Sequence, residues 1–86
     1  MSLMYDALRD VADERARQLV KWGVQVHRPL AWLAILTEEV GEVAKELADC
    51  YAGGAGLREA EYRAELVQVA AVAVAAIEAL DAEMGR

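Results

Sequence analysis

Leu33-Ala34-Ile35-Leu36-Thr37-Glu38-Glu39-Val40-Gly41-Glu42-Val43-Ala44-Lys45-Glu46-Leu47 carries the clearest structural signal in the chain. Its large apolar residues Leu33, Leu36, Val40, Val43 and Leu47 recur at spacings of 3, 4, 3 and 4. That period follows one face of an α-helix and makes the apolar seam by which helices pack in bundles. Pro29 stands just upstream and suits a first helical turn, where its missing N–H would have no intrahelical partner. Downstream, Ala52-Gly53-Gly54-Ala55-Gly56 breaks the pattern, and Gly53 is expected to supply a left-handed exit after Tyr51. A second break runs from Gly23 to Pro29. Three long segments without internal proline remain, and they predict helices over 3–21, 30–51 and 57–84.

The first segment places Leu8, Val11, Ala12 and Leu19 on one side and reads as an amphipathic surface helix. The third opens with charged residues and then becomes apolar all round, with nine apolar residues in a row from Val69 to Ile77. Three helices of one chain cannot easily cover every face of such a segment, so a second chain is expected to cover it. The expected fold is therefore all-α: three main helices in a single domain over 1–86, forming a helical bundle completed by homo-oligomerisation, as a dimer or tetramer.

Composition agrees. The chain has 86 residues, of which 57% are hydrophobic and 18 are alanine, with no Phe or Asn and one each of Ser, Thr and Pro. Strand and turn formers are scarce, which argues against an all-β fold or a disordered tail. A domain this small buries only about 60–65% of its unfolded surface, so its stability margin is thin. The net charge of -6 argues against a nucleic-acid binder, which needs a basic face toward phosphates. Residues 31–51 alone carry five acids and one base. The single cysteine, Cys50, excludes an internal disulfide and fits a reducing compartment. The Met-Ser-Leu-Met-Tyr-Asp start has no basic stretch, and the uncharged run Leu66–Ile77 is too short to cross a bilayer. No membrane partner and a cytoplasmic location are expected.

The acidic middle holds the candidate chemistry. Glu39 and Glu42 are three apart and Glu38 and Glu42 four apart, so on a helix they are neighbours. At about 6 Å and an effective dielectric near 20, such a pair costs about 3 kcal/mol, and less where solvated. A divalent cation turns this repulsion into coordination, and oxygen-only ligands point to Mg²⁺ or Mn²⁺. Glu65 and Gln68 form a second pair at the same spacing on the third segment. A short Gly-rich connection implies antiparallel packing. With the turn near residue 54, Glu42 lies about twelve residues before it and Glu65 about eleven after, at similar height on two helices rising about 1.5 Å per residue. A Glu-rich helix face is by default solvated surface. The register match sets a composite carboxylate site against that default.

These residues also resemble a known family. Lys21-Trp22-Gly23, His27 and the run Trp32–Ala44 look like the MazG-like, all-α nucleoside triphosphate pyrophosphohydrolases, and Glu65-Leu66-Val67-Gln68-Val69-Ala70-Ala71-Val72 is similar to their second motif. The resemblance covers about residues 15–80. It implies hydrolysis of a (d)NTP at the α–β anhydride to (d)NMP and pyrophosphate, with Mg²⁺ or Mn²⁺, by a helical oligomer that removes unwanted nucleotides. Carried over by motif, Glu39, Glu42, Glu65 and Gln68 are metal ligands, and Glu38 orients or deprotonates the attacking water. Lys21 and Lys45 are partners for triphosphate oxygens. The family's second motif usually ends in Asp where this chain has Gln68. An amide still offers a neutral carbonyl oxygen, without the charge.

Metal-assisted hydrolysis needs no covalent nucleophile, and the sequence offers none with an activating partner. Nor is there a phosphate-cradling GxxxxGK[ST] loop. His27 is in position to touch a phosphate or base, or to serve as a structural loop residue. Trp22 and Trp32 could stack on a base, or anchor the first loop against the second helix. Tyr51 and Tyr62 read as packing residues, and Arg58 and Arg63 as partners of Glu59, Glu61 or a neighbouring chain. The competing reading of the whole chain is a non-catalytic helical interaction module with a structural or vestigial cation site.

Overall fold

The computed structural model describes residues 2–85, and these form three helices and no strand: α1 (Leu3–Trp22), α2 (Pro29–Ala52) and α3 (Glu59–Glu83). The boundaries have local causes. Ser2 caps α1 by accepting from the Tyr5 N–H at 3.4 Å. Gly23 ends it at φ +71°, where a Cβ would be strained, and donates its N–H to Leu19 O at 2.8 Å. Pro29 opens α2 at its first position. The exit from α2 differs from the sequence expectation: Gly53 is still right-handed at φ -76°, and Gly54, at φ +73°, makes the turn.

The α2–α3 connection is fastened by its own residues. Arg58 forms two contacts to the Glu46 carboxylate, Nε to Oε1 at 3.0 Å and an Nη to Oε2 at 3.1 Å. Its backbone N–H donates to the buried Cys50 Sγ at 3.4 Å. Arg58 thus reaches back to α2 rather than to Glu59 or Glu61. Arg63 likewise pairs with Asp10 of α1 at 2.7 Å. Tyr51, expected to pack, is exposed.

α3 is the central element. It packs on α2 and on α1, and among the described residues α1 and α2 do not pack directly on one another. The α2–α3 core is apolar: Trp32, Val72 and Ala75 are buried together, with Ile35, Leu36, Ala76 and Ala79 against them. The α1–α3 interface is different in kind. The expected inward residues Leu8, Ala12 and Leu19 are exposed and Val11 is half-buried, whereas Glu14 (4% exposed) and Gln18 (7%) are buried. The reason lies on α3, which presents Arg63, Gln68 and Glu78 to this side, so polar partners and not leucines complement it.

The molecule leaves much apolar surface uncovered. Leu33 and Ile77 are each 57% exposed, and Val40, Val74 and Leu80 are also exposed. The seam spacing marks a packing face, but one chain covers only part of it. The accessible surface is 6383 Å². A self-contained 9.4 kDa protein exposes about 5,000 Å². The radius of gyration is 14.7 Å, against about 12 Å for a compact domain of this length.

Candidate functional site

α2 carries Glu38, Glu39 and Glu42, and Glu39 approaches Glu65 of α3. Glu39 and Glu65 are half-buried, and Glu38 and Glu42 are exposed. Glu39 senses the other three. The Glu39 carboxyl is held above its ordinary range, first by partial burial and then by the negative charge of Glu65, Glu42 and Glu38. The antiparallel packing of α2 and α3 thus brings the two acidic elements to one place.

The four carboxylates share a region without closing on one point: among the described residues no group of three or more Asp, Glu, His or Cys side chains is arranged to hold a metal ion. Their chemistry suits Mg²⁺ or Mn²⁺, which take hard oxygen donors, and their mutual repulsion is what a cation relieves.

Gln68 bonds to α1. Its Nε2 donates to Glu14 Oε2 at 2.7 Å, and its Oε1 accepts from Gln18 Nε2 at 3.3 Å. Gln18 Nε2 also approaches Glu14 Oε2 at 3.4 Å, and Arg17 pairs with the other Glu14 oxygen. Both ends of the Gln68 amide are therefore engaged by α1. The carbonyl oxygen offered to a metal in the sequence reading here accepts one hydrogen bond, from Gln18, and keeps a second lone pair.

Between the three helices lies a small recess of about 50 Å³, bordered by Gln18 and Trp22 of α1, Trp32 and Glu39 of α2, and Gln68 and Val72 of α3. Glu39 thus stands at the junction of the acidic group and this recess. Neither Lys21 nor Lys45 borders it. The Lys21 ammonium lies 4.8 Å from the Trp22 ring centroid, a cation–π contact, and Lys45 pairs with Asp49 at 3.6 Å. His27 meets Trp32 edge to face, with centroids 4.9 Å apart, and borders the neighbouring groove. Trp32 is an anchor of the core, while Trp22 is exposed at the recess lip.

Glu14 and Gln18 are the site-adjacent residues that sequence reasoning missed. The available signal was their i,i+4 spacing on α1, but Asp13, Arg15 and Arg17 around them read as solvated surface. Comparison of the chain with protein-family models, with curated proteins and with solved structures finds no match. Among the described residues no helix is long and apolar enough to cross a membrane.

Proposed function

We propose that the chain is a metal-dependent nucleoside triphosphate pyrophosphohydrolase that cleaves a (d)NTP to (d)NMP and pyrophosphate, in the cytoplasm, as part of nucleotide house-cleaning. The observation that carries this reading is that Glu39 on α2, flanked by Glu38 and Glu42, lies near enough to Glu65 on α3 to feel its charge, beside a recess that Glu39 itself borders. The resemblance to the MazG-like family supports it. In this reading Glu39, Glu42 and Glu65 hold Mg²⁺ or Mn²⁺, and Glu38, exposed on the same helix, orients or deprotonates the attacking water. The metal, when bound, supplies charge neutralisation of the phosphates and an activated water. Gln68 acts through α1: it fixes that helix, and with it Gln18 and Trp22, over the recess. Lys21 and Lys45 are exposed and could reach triphosphate oxygens.

The uncovered apolar surface belongs to a second copy of the chain. The excess over a self-contained protein is about 1,400 Å², so two copies would bury about 2,800 Å² together, within the range of obligate dimers. A sedimentation mass of one 9.4 kDa chain would refute this assignment.

A non-catalytic helical interaction module is favoured by one observation, that the carboxylates do not converge into a cage. Pyrophosphate release from a panel of (d)NTPs, with Mg²⁺, Mn²⁺ or EDTA and a Glu39→Gln/Glu42→Gln control, separates the two. Metal-dependent release lost in the control supports hydrolysis. No release from any nucleotide with either metal leaves the interaction module. Glu38→Gln sharpens the roles: metal binding is retained while turnover falls.

A further inference from the structure

Exposed large apolar side chains stand mainly in three places: the first turns of α1, the 23–28 loop, and a face shared by α2 and α3. The last is built across two helices. Leu33, Leu36, Ile77 and Leu80 wall one groove of about 280 Å³, so α2 and α3 turn these residues to the same side. Among the described residues none of α1 borders that groove. At about 100° per residue, Leu66, Ala73, Ile77 and Leu80 fall within about 60° of one another around α3, nearly opposite Gln68 and Glu78, which bond to α1. Around α2, Leu33, Val40 and Leu47 fall within about 40° of one another, nearly opposite the exposed Glu38 and Glu42. The α2–α3 hairpin therefore has an acidic side, where Glu39 meets the recess shared with α1, and an uncharged apolar side away from α1.

We infer that two copies of the chain pair through this apolar side, hairpin against hairpin about a two-fold axis, into a four-helix core with both α1 helices and both acidic groups outside it. This face and mode add to the homodimer assigned above, on which they rest, and are independent of hydrolysis. Area, length and charge name a second copy as the occupant. The surface in excess of a self-contained protein is about 1,400 Å² per chain, and a stable pair needs about 800 Å² from each. Leu33 to Leu47 and Leu66 to Leu80 each run 14 steps, about 21 Å of helix at about 1.5 Å per residue, so the stripe is as long on α2 as on α3 and an isologous partner presents matching stripes. Each chain carries a net charge of -6, and pairing on the uncharged side keeps the two acidic groups on the outer faces of the pair, apart and in water. Two-fold pairing through the other side of the hairpin would set Glu38 and Glu42 against those of the second copy. The acidic group of each chain is then built from that chain alone.

Hydroxyl-radical footprinting of the full chain, beside sedimentation equilibrium, tests the face directly. Leu33 and Leu8 are a matched pair, 57% and 55% exposed in one chain. Where the sedimenting mass is twice 9.4 kDa, Leu33, Ile77 and Leu80 are expected to react about fivefold less than their exposure in one chain gives, as side chains in an interface core do. Leu8 and Trp22, both on α1, are expected to keep the reactivity of exposed residues. Ile77→Glu places a carboxylate in the face. It is expected to weaken association at least about a hundredfold, because an unpaired charge would be buried, and to give a one-chain mass with the helical circular dichroism retained. Leu8→Glu is expected to keep the dimer. If Ile77→Glu fails to fold, the wild-type footprint alone decides. A one-chain mass for the wild type overturns the homodimer and its face together. A dimer in which Leu33 and Ile77 stay as reactive as Leu8 overturns the face and leaves the homodimer standing.

Discussion

α3 meets its two neighbours by opposite chemistries. Toward α2 it offers Val72, Ala75, Ala76 and Ala79, which close on Trp32, Ile35 and Leu36. Toward α1 it offers Gln68, Arg63 and Glu78, which meet Glu14, Asp10 and Arg15 at 2.7, 2.7 and 2.9 Å. The first interface is non-directional and gains from removing apolar area from water. The second must offset the desolvation of buried polar groups before it contributes anything, and it holds only when the geometry is right. The difference teaches where stability and precision reside. The α2–α3 hairpin holds the fold, and the polar clamp fixes the height and rotation of α1. The recess lies where the two interfaces meet.

The comparison breaks most visibly if the apolar side tolerates charge. Val72→Asp places a carboxylate without a partner in the α2–α3 core. The expected cost is above about 4 kcal/mol. A domain of this length has a total stability of about 4–13 kcal/mol, so the cooperative thermal transition followed by circular dichroism should disappear or collapse. A Tm lowered by only a few degrees would show that the hairpin is not the stabilising unit.

The polar side should behave differently, because its members depend on one another. Gln68→Leu leaves the Glu14 carboxylate buried with weaker partners, and Glu14→Leu leaves the Gln68 amide donor unmatched. Each single change is expected to destabilise by about 1–3 kcal/mol. The double change removes both polar groups and should cost less than the sum, with a coupling of about 1–2 kcal/mol in urea unfolding. Additive single effects would mean that the clamp is two independent surface contacts.

The two interfaces were unequally legible in the sequence. Helix ends followed from Pro29, Gly23 and the glycine run, because backbone chemistry acts locally. The antiparallel pairing that brings Glu65 of α3 near Glu39 of α2 was legible too, because helix rise and a short turn leave little freedom. The clamp did not follow. Glu14 is buried by a residue 54 positions away in sequence, and nothing among its own neighbours announces that. The same limit applies to Gln68, whose type suggested a weak ligand and whose direction was set by α1. Leu33 and Val40 show the converse: their spacing marks a seam, but spacing does not name what covers it.

A smaller effect is expected at the edge of the polar interface. Arg63→Ala removes the pair with Asp10, two partly exposed side chains at 2.7 Å. The loss should be about 0.2–1 kcal/mol and should shrink in 0.5–1 M salt, as screening requires. A loss of several kcal/mol that salt leaves unchanged would place Arg63 in the clamp itself.

The finest test concerns Glu39, where the two interfaces and the acidic group meet. Burial and the charges of Glu65, Glu42 and Glu38 raise its pKa above the ordinary 4.5. The folded chain therefore keeps the Glu39 proton to higher pH than the unfolded chain does. Between 4.5 and the raised folded value the native state binds more protons, so this group's contribution to stability falls as pH rises through that window. Above the window the ionised carboxylate is a net cost to the fold, and below 4.5 it is neutral. Glu39→Gln removes the cost. In the absence of divalent cations the variant should melt up to about 3 °C above wild type at pH 7, a small gain because solvent screens a group this exposed. The gain should vanish as the pH is lowered past 4.5. Adding Mg²⁺ at pH 7 should then raise the wild-type Tm and leave the variant's closer to where it was, since a ligand stabilises only the state that binds it. Equal melting of the two proteins at pH 7, or a less stable variant, would mean that the carboxylates of α2 and α3 do not burden one another, and the electrostatic case for a shared cation would go with it.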